Sequence, residues 1–267
     1  MNIRWKLYRQ IVESAWVQSF AYRADIFWYR GWDVVAPLCT LLLWSAVFST
    51  RNEFQGYTKE TMLTYVLIST LCLVLSQNWL HKTIGGDIRE GRLNQFLVKP
   101  VSYIEYRFWS GIGKTALETI SSLVVIVALM CIFSSSLYIP TVRDVMLSLV
   151  VISLGFLLNL YLSVVLGFCA FWMTSVEGFG ETVNAIRYFF SGNAFPFDIL
   201  GRGYQFVATA LPFAYLGYIP TQVFLGRMTG QEIFYALLEE LAWITALIII
   251  AHILWRFGIK KYEGVGI

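Results

Sequence analysis

The chain has 267 residues, of which 57% are apolar and only 14% charged, and its formal net charge is +3. Soluble domains carry about 25% charged residues, so this composition lacks the polar surface that water requires. These numbers exclude an ordinary soluble domain and predict helices solvated by lipid, with room for about six crossings of roughly 20 residues each.

The N-terminal segment, residues 1–31, is basic and amphipathic, and charged residues such as Arg4, Lys6 and Arg9 prevent it from spanning the bilayer. Its apolar residues recur at near-helical spacing, at Trp5, Tyr8, Val12, Trp16, Phe20 and Phe27. A basic helix with an aromatic face lies in the headgroup layer of a membrane. We therefore predict an interfacial elbow helix over 1–31 that leads into the first span.

Apolar runs that approach or exceed the length of a membrane crossing follow along the chain. They are Val34–Thr50, Met62–Leu80, Ile112–Phe133, Val145–Met173 and Leu237–Phe257. Lipid offers the backbone no hydrogen-bond partner, so each run is predicted to be helical. Basic residues concentrate before the first run, within 81–107 and after the last run. The positive-inside rule then places both termini and the 81–107 loop in the cytoplasm.

This orientation constrains the less apolar stretch between the fourth and last runs. It must cross the membrane a net odd number of times. One crossing near Glu177–Phe195 is the simplest solution, because the stretch has too few residues for three crossings. The segment that follows, residues 196–236, contains Pro212 and Pro220, which disfavour one long helix. It is nevertheless too apolar for an aqueous loop, so we predict two short re-entrant helices in the outer leaflet. The predicted fold is an all-α integral membrane domain over 1–267 with six transmembrane helices.

The cytoplasmic loop 81–107 carries a second amphipathic pattern. Glycines open its central part, and Pro100 marks the end of that part. Between them, Leu93, Phe96 and Leu97 are spaced to form one apolar face. Such a face fits a groove on a partner protein. The alternative is another interfacial helix that rests on lipid, and the pattern leaves both open.

The predicted fifth span is weakly apolar, and its polar residues share one face. Glu177, Glu181, Asn184 and Tyr188 follow each other at helical spacing. Ionisable groups inside the bilayer cost at least roughly 2.5–3.5 kcal/mol each, so they rarely face lipid. We predict that this face lines a substrate pathway or a subunit interface. The alternative is that both glutamates are solvated at the cytoplasmic surface.

A stripe of small and polar residues repeats every fourth position along the fourth run, at Gly155, Asn159, Ser163 and Gly167. Small residues let helices approach closely, and an asparagine can form a hydrogen bond across the contact. The stripe therefore predicts helix packing, with a role in gating as the alternative.

Residues that bind metals or catalyse reactions are scarce. The histidines, His81 and His252, are too few for a histidine-rich metal site, and the cysteines lack ligand spacing. Residues 111–115 end like a phosphate-binding loop, but Phe108 stands where the motif requires its first glycine. We therefore expect no catalytic residue, metal or cofactor in this chain.

Several short motifs resemble those of ABC-2-type transporter permeases. Residues 87–91 (DIREG) and 97–102 (LVKPVS) resemble the cytoplasmic coupling region of that family. Residues 192–197 (GNAFPF) resemble the end of its fifth span, segments within 211–226 resemble its outer region, and 255–262 resemble its C-terminus. The resemblance extends over essentially the whole chain.

This resemblance implies a function and a set of partners. Two permease subunits, identical or related, would form an export pathway in the bacterial cytoplasmic membrane. No nucleic acid is expected among the partners. Separate cytoplasmic ABC ATPase subunits would hold ATP and Mg²⁺ and drive the pathway. The residues that would couple to the ATPase are Asp87, Ile88, Arg89, Glu90, Leu93, Phe96 and Leu97.

Two other functions remain open from the residues alone. An ion-coupled secondary transporter is one, although the two halves show no convincing repeat. A membrane-embedded lipid-modifying enzyme is the other, for which Glu177 and Glu181 are the acidic candidates. The sequence does not identify a substrate.

Overall fold

A computed structural model of the protein describes residues 3–21, 31–97, 102–173, 176–193 and 195–262. These residues are mainly helical. The α-helices are, in chain order, α1 (Ile3–Ala21), α2 (Gly31–Val47), α3 (Lys59–Ser76), α4 (Leu80–Arg89), α5 (Asn94–Leu97), α6 (Tyr103–Ile132), α7 (Val142–Phe168), α8 (Val176–Phe190), α9 (Arg202–Ala210), α10 (Tyr218–Phe224) and α11 (Gly230–Lys261). Short 3-10 helices occupy Ser134–Ser136, Cys169–Phe171, Phe197–Leu200 and Pro212–Leu216. The strands β1 (Glu53–Phe54) and β2 (Tyr57–Thr58) form an antiparallel pair.

Within the described residues, three helical stretches are long and apolar enough to cross a membrane: Lys59–Arg89, Val142–Phe171 and Gly230–Lys261. Helix α6 adds a fourth if its two halves, which meet at a 41° bend, form one span. The apolar part of α2, Val35–Val47, is shorter, and α8 has 15 residues, about 22 Å of helix. The predicted all-α membrane fold is confirmed, whereas six crossings stay a prediction.

The three helices α3, α7 and α11 begin close together, and each begins at a capping threonine. Thr58, Thr141 and Thr229 each accept a hydrogen bond from a backbone N–H of the first helical turn. Arg227, just before α11, donates to the carbonyl of Gly56, just before α3, at 2.7 Å. Threonine is a favoured N-cap because its hydroxyl satisfies an otherwise unpaired backbone donor.

Helix α7 is the centre of the packing, because it contacts α3, α4, α10 and α11. Two apolar clusters surround it. The larger one includes Tyr65, Leu158 and Tyr215. The smaller one includes Ile84, Leu93 and residues from the ends of α7 and α11.

Two segments differ in detail from the prediction. Residues 81–107, predicted as a loop, are largely helical in their described part, because α4 continues from α3 after a short break and α5 follows. In 196–236, α9 and α10 flank a 3-10 helix that starts at Pro212. Pro220 lies in the first turn of α10, where the missing N–H of proline is tolerated.

Helix α1 lies along α6. The Tyr8 hydroxyl donates to Glu105 at 3.0 Å, and the Tyr8 ring stacks on Trp109 with centroids 5.2 Å apart. The Ser19 hydroxyl donates to the carbonyl of Lys114 at 3.2 Å. The rest of the predicted elbow, including Phe27, lies outside the described residues, so the interfacial position of α1 stays a prediction.

Candidate functional site

Asp87 is the centre of the junction between α4 and α6, and it is only 1% exposed. Tyr103 donates to its Oδ2 at 2.6 Å, and Arg92 Nε donates to its Oδ1 at 3.2 Å. Arg107 forms an ion pair with Oδ2. The Asp87 backbone carbonyl accepts from the N–H of Leu93 at 3.2 Å. A buried carboxylate requires such partners, and these contacts join the end of α4, the following turn and the start of α6.

Aromatic rings enclose the same junction. The Arg107 guanidinium lies over the ring of Phe96, 4.8 Å from its centroid, and its side chain is 13% exposed. The ring of Tyr103 stacks on Trp255 of α11, with centroids 5.6 Å apart. The Asp87 junction therefore includes three helices: α4, α6 and α11.

The predicted coupling residues divide into buried and exposed groups. The sequence predicts an open apolar face from Leu93, Phe96 and Leu97, but Leu93 is 0% exposed because it packs inside the smaller apolar cluster. Ile88 is also buried, Phe96 is half-buried, and the Leu97 side chain lies outside the described residues. The surface that this segment leaves open is polar: Arg89, Glu90, Arg92, Asn94 and Gln95.

The break between α3 and α4, residues 77–79, meets a polar side chain from α7. Asn159 is 1% exposed and donates from Nδ2 to the carbonyl of Ser76 at 2.5 Å. Its Oδ1 accepts from Arg187 Nη1 of α8 at 3.1 Å. An interrupted helix in a membrane needs other groups to satisfy its freed backbone atoms. Asn159 satisfies one of them and connects the break to Arg187.

A cavity of about 290 Å³ opens beside this break. From α8, it is lined by Glu181, Asn184, Arg187 and Tyr188, and its other walls come mainly from α2 and α3. Pockets that bind small molecules have volumes of about 300–1,000 Å³, so the cavity is at the lower end of that range. We refer to it below as the Arg187 cavity.

The structure brings three of the four predicted pathway residues to the Arg187 cavity. Glu181 forms an ion pair with Lys82 of α4 at 2.7 Å, and both side chains are partly or largely exposed. Glu177 belongs to the first turn of α8, and its side chain lies outside the described residues. The described part of the predicted face is therefore polar, and its acidic residue, Glu181, is already paired.

The small-residue stripe is buried within this chain: Gly155, Asn159, Ser163 and Gly167. A methyl group on Gly167 would lie 2.7 Å from Cβ of Ile84 in α4. A methyl group on Gly155 would lie 2.8 Å from the carbonyl oxygen of Tyr215. Both distances are too short for real carbon contacts, so each glycine permits a close approach of another segment to α7.

Glu240 of α11 is an ionisable residue that the sequence reasoning missed. It is 0% exposed, and within the described part of the chain neither carboxylate oxygen has a hydrogen-bond partner. The neighbouring Glu239 accepts a hydrogen bond from Tyr215 at 2.8 Å. The sequence contains a signal for this residue, because both glutamates lie inside the last apolar run, where ionisable side chains are rare.

A polar cluster near the starts of α3 and α11 was also missed. The Tyr57 hydroxyl donates to Asp198 at 2.9 Å and accepts from Gln222 Nε2 at 2.6 Å. The Arg227 guanidinium lies 3.9 Å from the centroid of the Tyr57 ring. Burial raises the pKa of Tyr57 well above its ordinary value, and the nearby Asp198 carboxylate raises it further.

Comparison with protein-family models matches residues 34–266 to the family described as ABC-2 family transporter protein. No curated protein sequence matches the chain. The matched range begins within α2 and ends beyond α11, so it includes the Asp87 junction and the Arg187 cavity.

Proposed function

We propose that this multi-pass membrane protein is the permease subunit of an ABC exporter, because the chain belongs to the ABC-2 transporter family. It forms the substrate pathway with a second permease, either an identical chain or a related one. Separate cytoplasmic ATPase subunits bind ATP and Mg²⁺. The complex lies in the bacterial cytoplasmic membrane with both termini of this chain in the cytoplasm.

The observation that carries this proposal is the Asp87 junction. A permease must receive force at its cytoplasmic end and transmit it to helices that cross the membrane. At this junction the exposed turn after α4 is held to α6 by Asp87, Tyr103 and Arg107. The stacking of Tyr103 on Trp255 extends the unit to α11. A rigid unit of this kind moves as a whole when a partner displaces it.

The proposed motion reaches the Arg187 cavity through α4. This helix starts directly after the break at 77–79, and residues of that break line the cavity. Lys82 of α4 is paired with Glu181 of the cavity wall. Displacement of α4 by the ATPase therefore changes the shape of the cavity, which is what alternating access requires.

Co-purification tests the proposal directly. The chain is expressed with the ABC ATPase gene nearest to its own gene, and the complex is isolated in mild detergent and assayed for ATP hydrolysis. Gln95→Trp, at an exposed position of α5, is expected to reduce ATPase binding at least tenfold, because a bulky side chain there blocks docking. Leu93 is unsuitable for this test, since a polar residue at that buried position would disturb folding.

Asn52→Trp is the matched control, because Asn52 is also exposed but lies before α3, at the opposite end of the Lys59–Arg89 stretch. It is expected to bind the ATPase like the unchanged chain. A well-folded chain that binds no ATPase would instead favour the ion-coupled transporter or the lipid-modifying enzyme.

A further inference from the structure

Arg187 has an unusual environment for a cation among apolar helices. Its Nη1 donates to Asn159, but its Nε is buried and has no hydrogen-bond partner among the described residues. No carboxylate oxygen in the described part of the chain lies within 4.0 Å of the guanidinium. Ionisable residues placed in this way within a membrane protein are costly and usually mark function.

Among the described residues, the Arg187 guanidinium has no ion-pair partner of its own. Glu181 is the carboxylate in the described lining, and it already pairs with Lys82 at 2.7 Å. Glu181 also acts on Arg187 at longer range, but among the described residues no carboxylate forms an ion pair with Arg187, so its charge is only partly compensated there. An anion placed in the cavity would provide such a partner.

The cavity also offers neutral polar groups beside that charge. Asn184 and Tyr188 line it, and Asn193 contributes a buried Oδ1 that has no partner within the described residues. A guanidinium binds carboxylate and phosphate oxygens through two parallel hydrogen bonds. A volume of about 290 Å³ is several times the roughly 30 Å³ that one water molecule occupies, so the cavity admits such a group.

We infer that the Arg187 cavity binds an anionic group, a phosphate or a carboxylate, of the molecule that this protein transports. The existence of an anion site follows from the cavity itself. Its assignment to a transported molecule rests on the permease function proposed above. The anionic group comes either from a lipid headgroup or from a soluble anion.

Thiol chemistry at the cavity wall tests the inference without knowledge of the substrate. Thr70 lines the cavity, and Thr70→Cys is made in a full-length chain whose four natural cysteines are replaced by serine. The chain is placed in phosphatidylcholine nanodiscs. The rates of modification are measured with an anionic and a cationic methanethiosulfonate reagent. Ser49→Cys, in the exposed turn just after α2, is the reference position.

The ratio of anionic to cationic modification is expected to be on the order of tenfold higher at position 70 than at position 49, because an unpaired charge nearby attracts the anionic reagent. Arg187→Gln should remove this preference, and Arg187→Lys should keep it. The lysine variant also shows that loss of the preference does not come from misfolding. An unchanged preference in Arg187→Gln, or a cationic preference in the parent chain, would overturn the inference.

Protection experiments then identify the source of the anion. Inorganic pyrophosphate is added to the buffer in one arm, and phosphatidylglycerol replaces part of the phosphatidylcholine in the other. Slower anionic modification at position 70 relative to position 49 supports the inference in either arm. Protection by pyrophosphate assigns a soluble anion, and protection by phosphatidylglycerol assigns a lipid headgroup. If neither pyrophosphate nor phosphatidylglycerol slows the anionic modification, the inference is contradicted.

These outcomes are separate from those of the ATPase experiment, because the thiol assay uses the chain alone. A chain that binds its ATPase but shows no anionic preference keeps the proposed function and loses the anion site. A chain with the preference but without an ATPase partner keeps the site and loses the permease function.

Discussion

The carboxylate of Asp87 and the guanidinium of Arg107 form an ion pair that joins α4 to α6 inside the chain. Asp87 is 1% exposed and Arg107 is 13% exposed, so water screens the pair poorly. Removal of one member of such a pair leaves the other charge buried and unpaired. The pair therefore holds together the segment that we propose to receive force from the ATPase.

Asp87→Asn is expected to lower the free energy of unfolding by about 3–5 kcal/mol, because Arg107 loses its counter-ion. Thermal unfolding in detergent measures this change. Glu90→Gln is the matched control, since Glu90 is exposed and lies in the same turn. We expect a much smaller loss for the control.

The double variant Asp87→Asn with Arg107→Gln provides a further check. We expect it to be less destabilised than the sum of the two single variants, because neither charge is then left alone. Simple additivity would show that the two side chains do not interact.

Gly167→Ala is expected to destabilise the protein by about 1–3 kcal/mol, because the added methyl group overlaps Ile84. Combining it with Ile84→Gly, which removes both Cβ and Cγ2 of that side chain, should cost less than the sum of the two single changes. Gly203→Ala, in helix α9, is the control, because a methyl group there meets no atom within 4 Å. If Gly167→Ala unfolds at the same temperature as the unchanged chain, the close contact between α4 and α7 is contradicted.

Asn159→Leu is expected to cost about 1–3 kcal/mol, because Arg187 Nη1 loses its partner and the Ser76 carbonyl keeps only the 3.5 Å hydrogen bond from Asn78 Nδ2. Ser153→Leu is made beside it, because Ser153 is exposed on the same helix. The loss should appear as a lower unfolding temperature. It is measured by heating samples to a series of temperatures and quantifying the protein that remains folded by size-exclusion chromatography. Equal unfolding temperatures for both variants would argue against the polar connection at the helix break.

Tyr57→Phe removes a hydroxyl that donates to Asp198 and accepts from Gln222. We expect a loss of about 1–3 kcal/mol, because Gln222 and Asp198 each lose a partner in a largely buried cluster. Tyr235→Phe on α11 is the control, since that side chain is 54% exposed. The test is chemical unfolding monitored by fluorescence, and similar values for the two variants would contradict this role of Tyr57.

The raised pKa of Tyr57 adds a pH dependence with a definite sign. The folded state holds the phenol proton to higher pH than the unfolded chain, whose tyrosines ionise near their ordinary value of 10.0. The stabilisation is therefore complete below that pH and decreases as the pH rises above it. When the pH is raised from neutral into the alkaline range, the free energy of unfolding should decrease less for Tyr57→Phe than for the unchanged chain.

The apolar runs alone were sufficient to predict the long helices. Val145–Met173 and Leu237–Phe257 correspond to α7 and α11, although α11 begins seven residues before the predicted run, at Gly230. Lipid forces a long apolar run to form its backbone hydrogen bonds within itself, so no knowledge of neighbouring segments is needed. Pro212 and Pro220 likewise predict interruptions through local backbone geometry.

Leu93 shows what the sequence left undecided. An apolar face at helical spacing fits a partner protein, a lipid surface or the core of the same chain, and spacing alone does not separate them. Only the tertiary structure places Leu93 inside the chain and leaves the polar side of that turn exposed.

The Arg187 cavity illustrates the same limit for charged residues. The sequence predicted the shared face of Glu181, Asn184 and Tyr188, because helical periodicity is local. It did not determine that Lys82 neutralises Glu181 while Arg187 meets Asn159, since those partners come from other helices. Periodicity along one helix thus fixed which residues share a face, and the packing of different helices decided which of their charges stay unpaired.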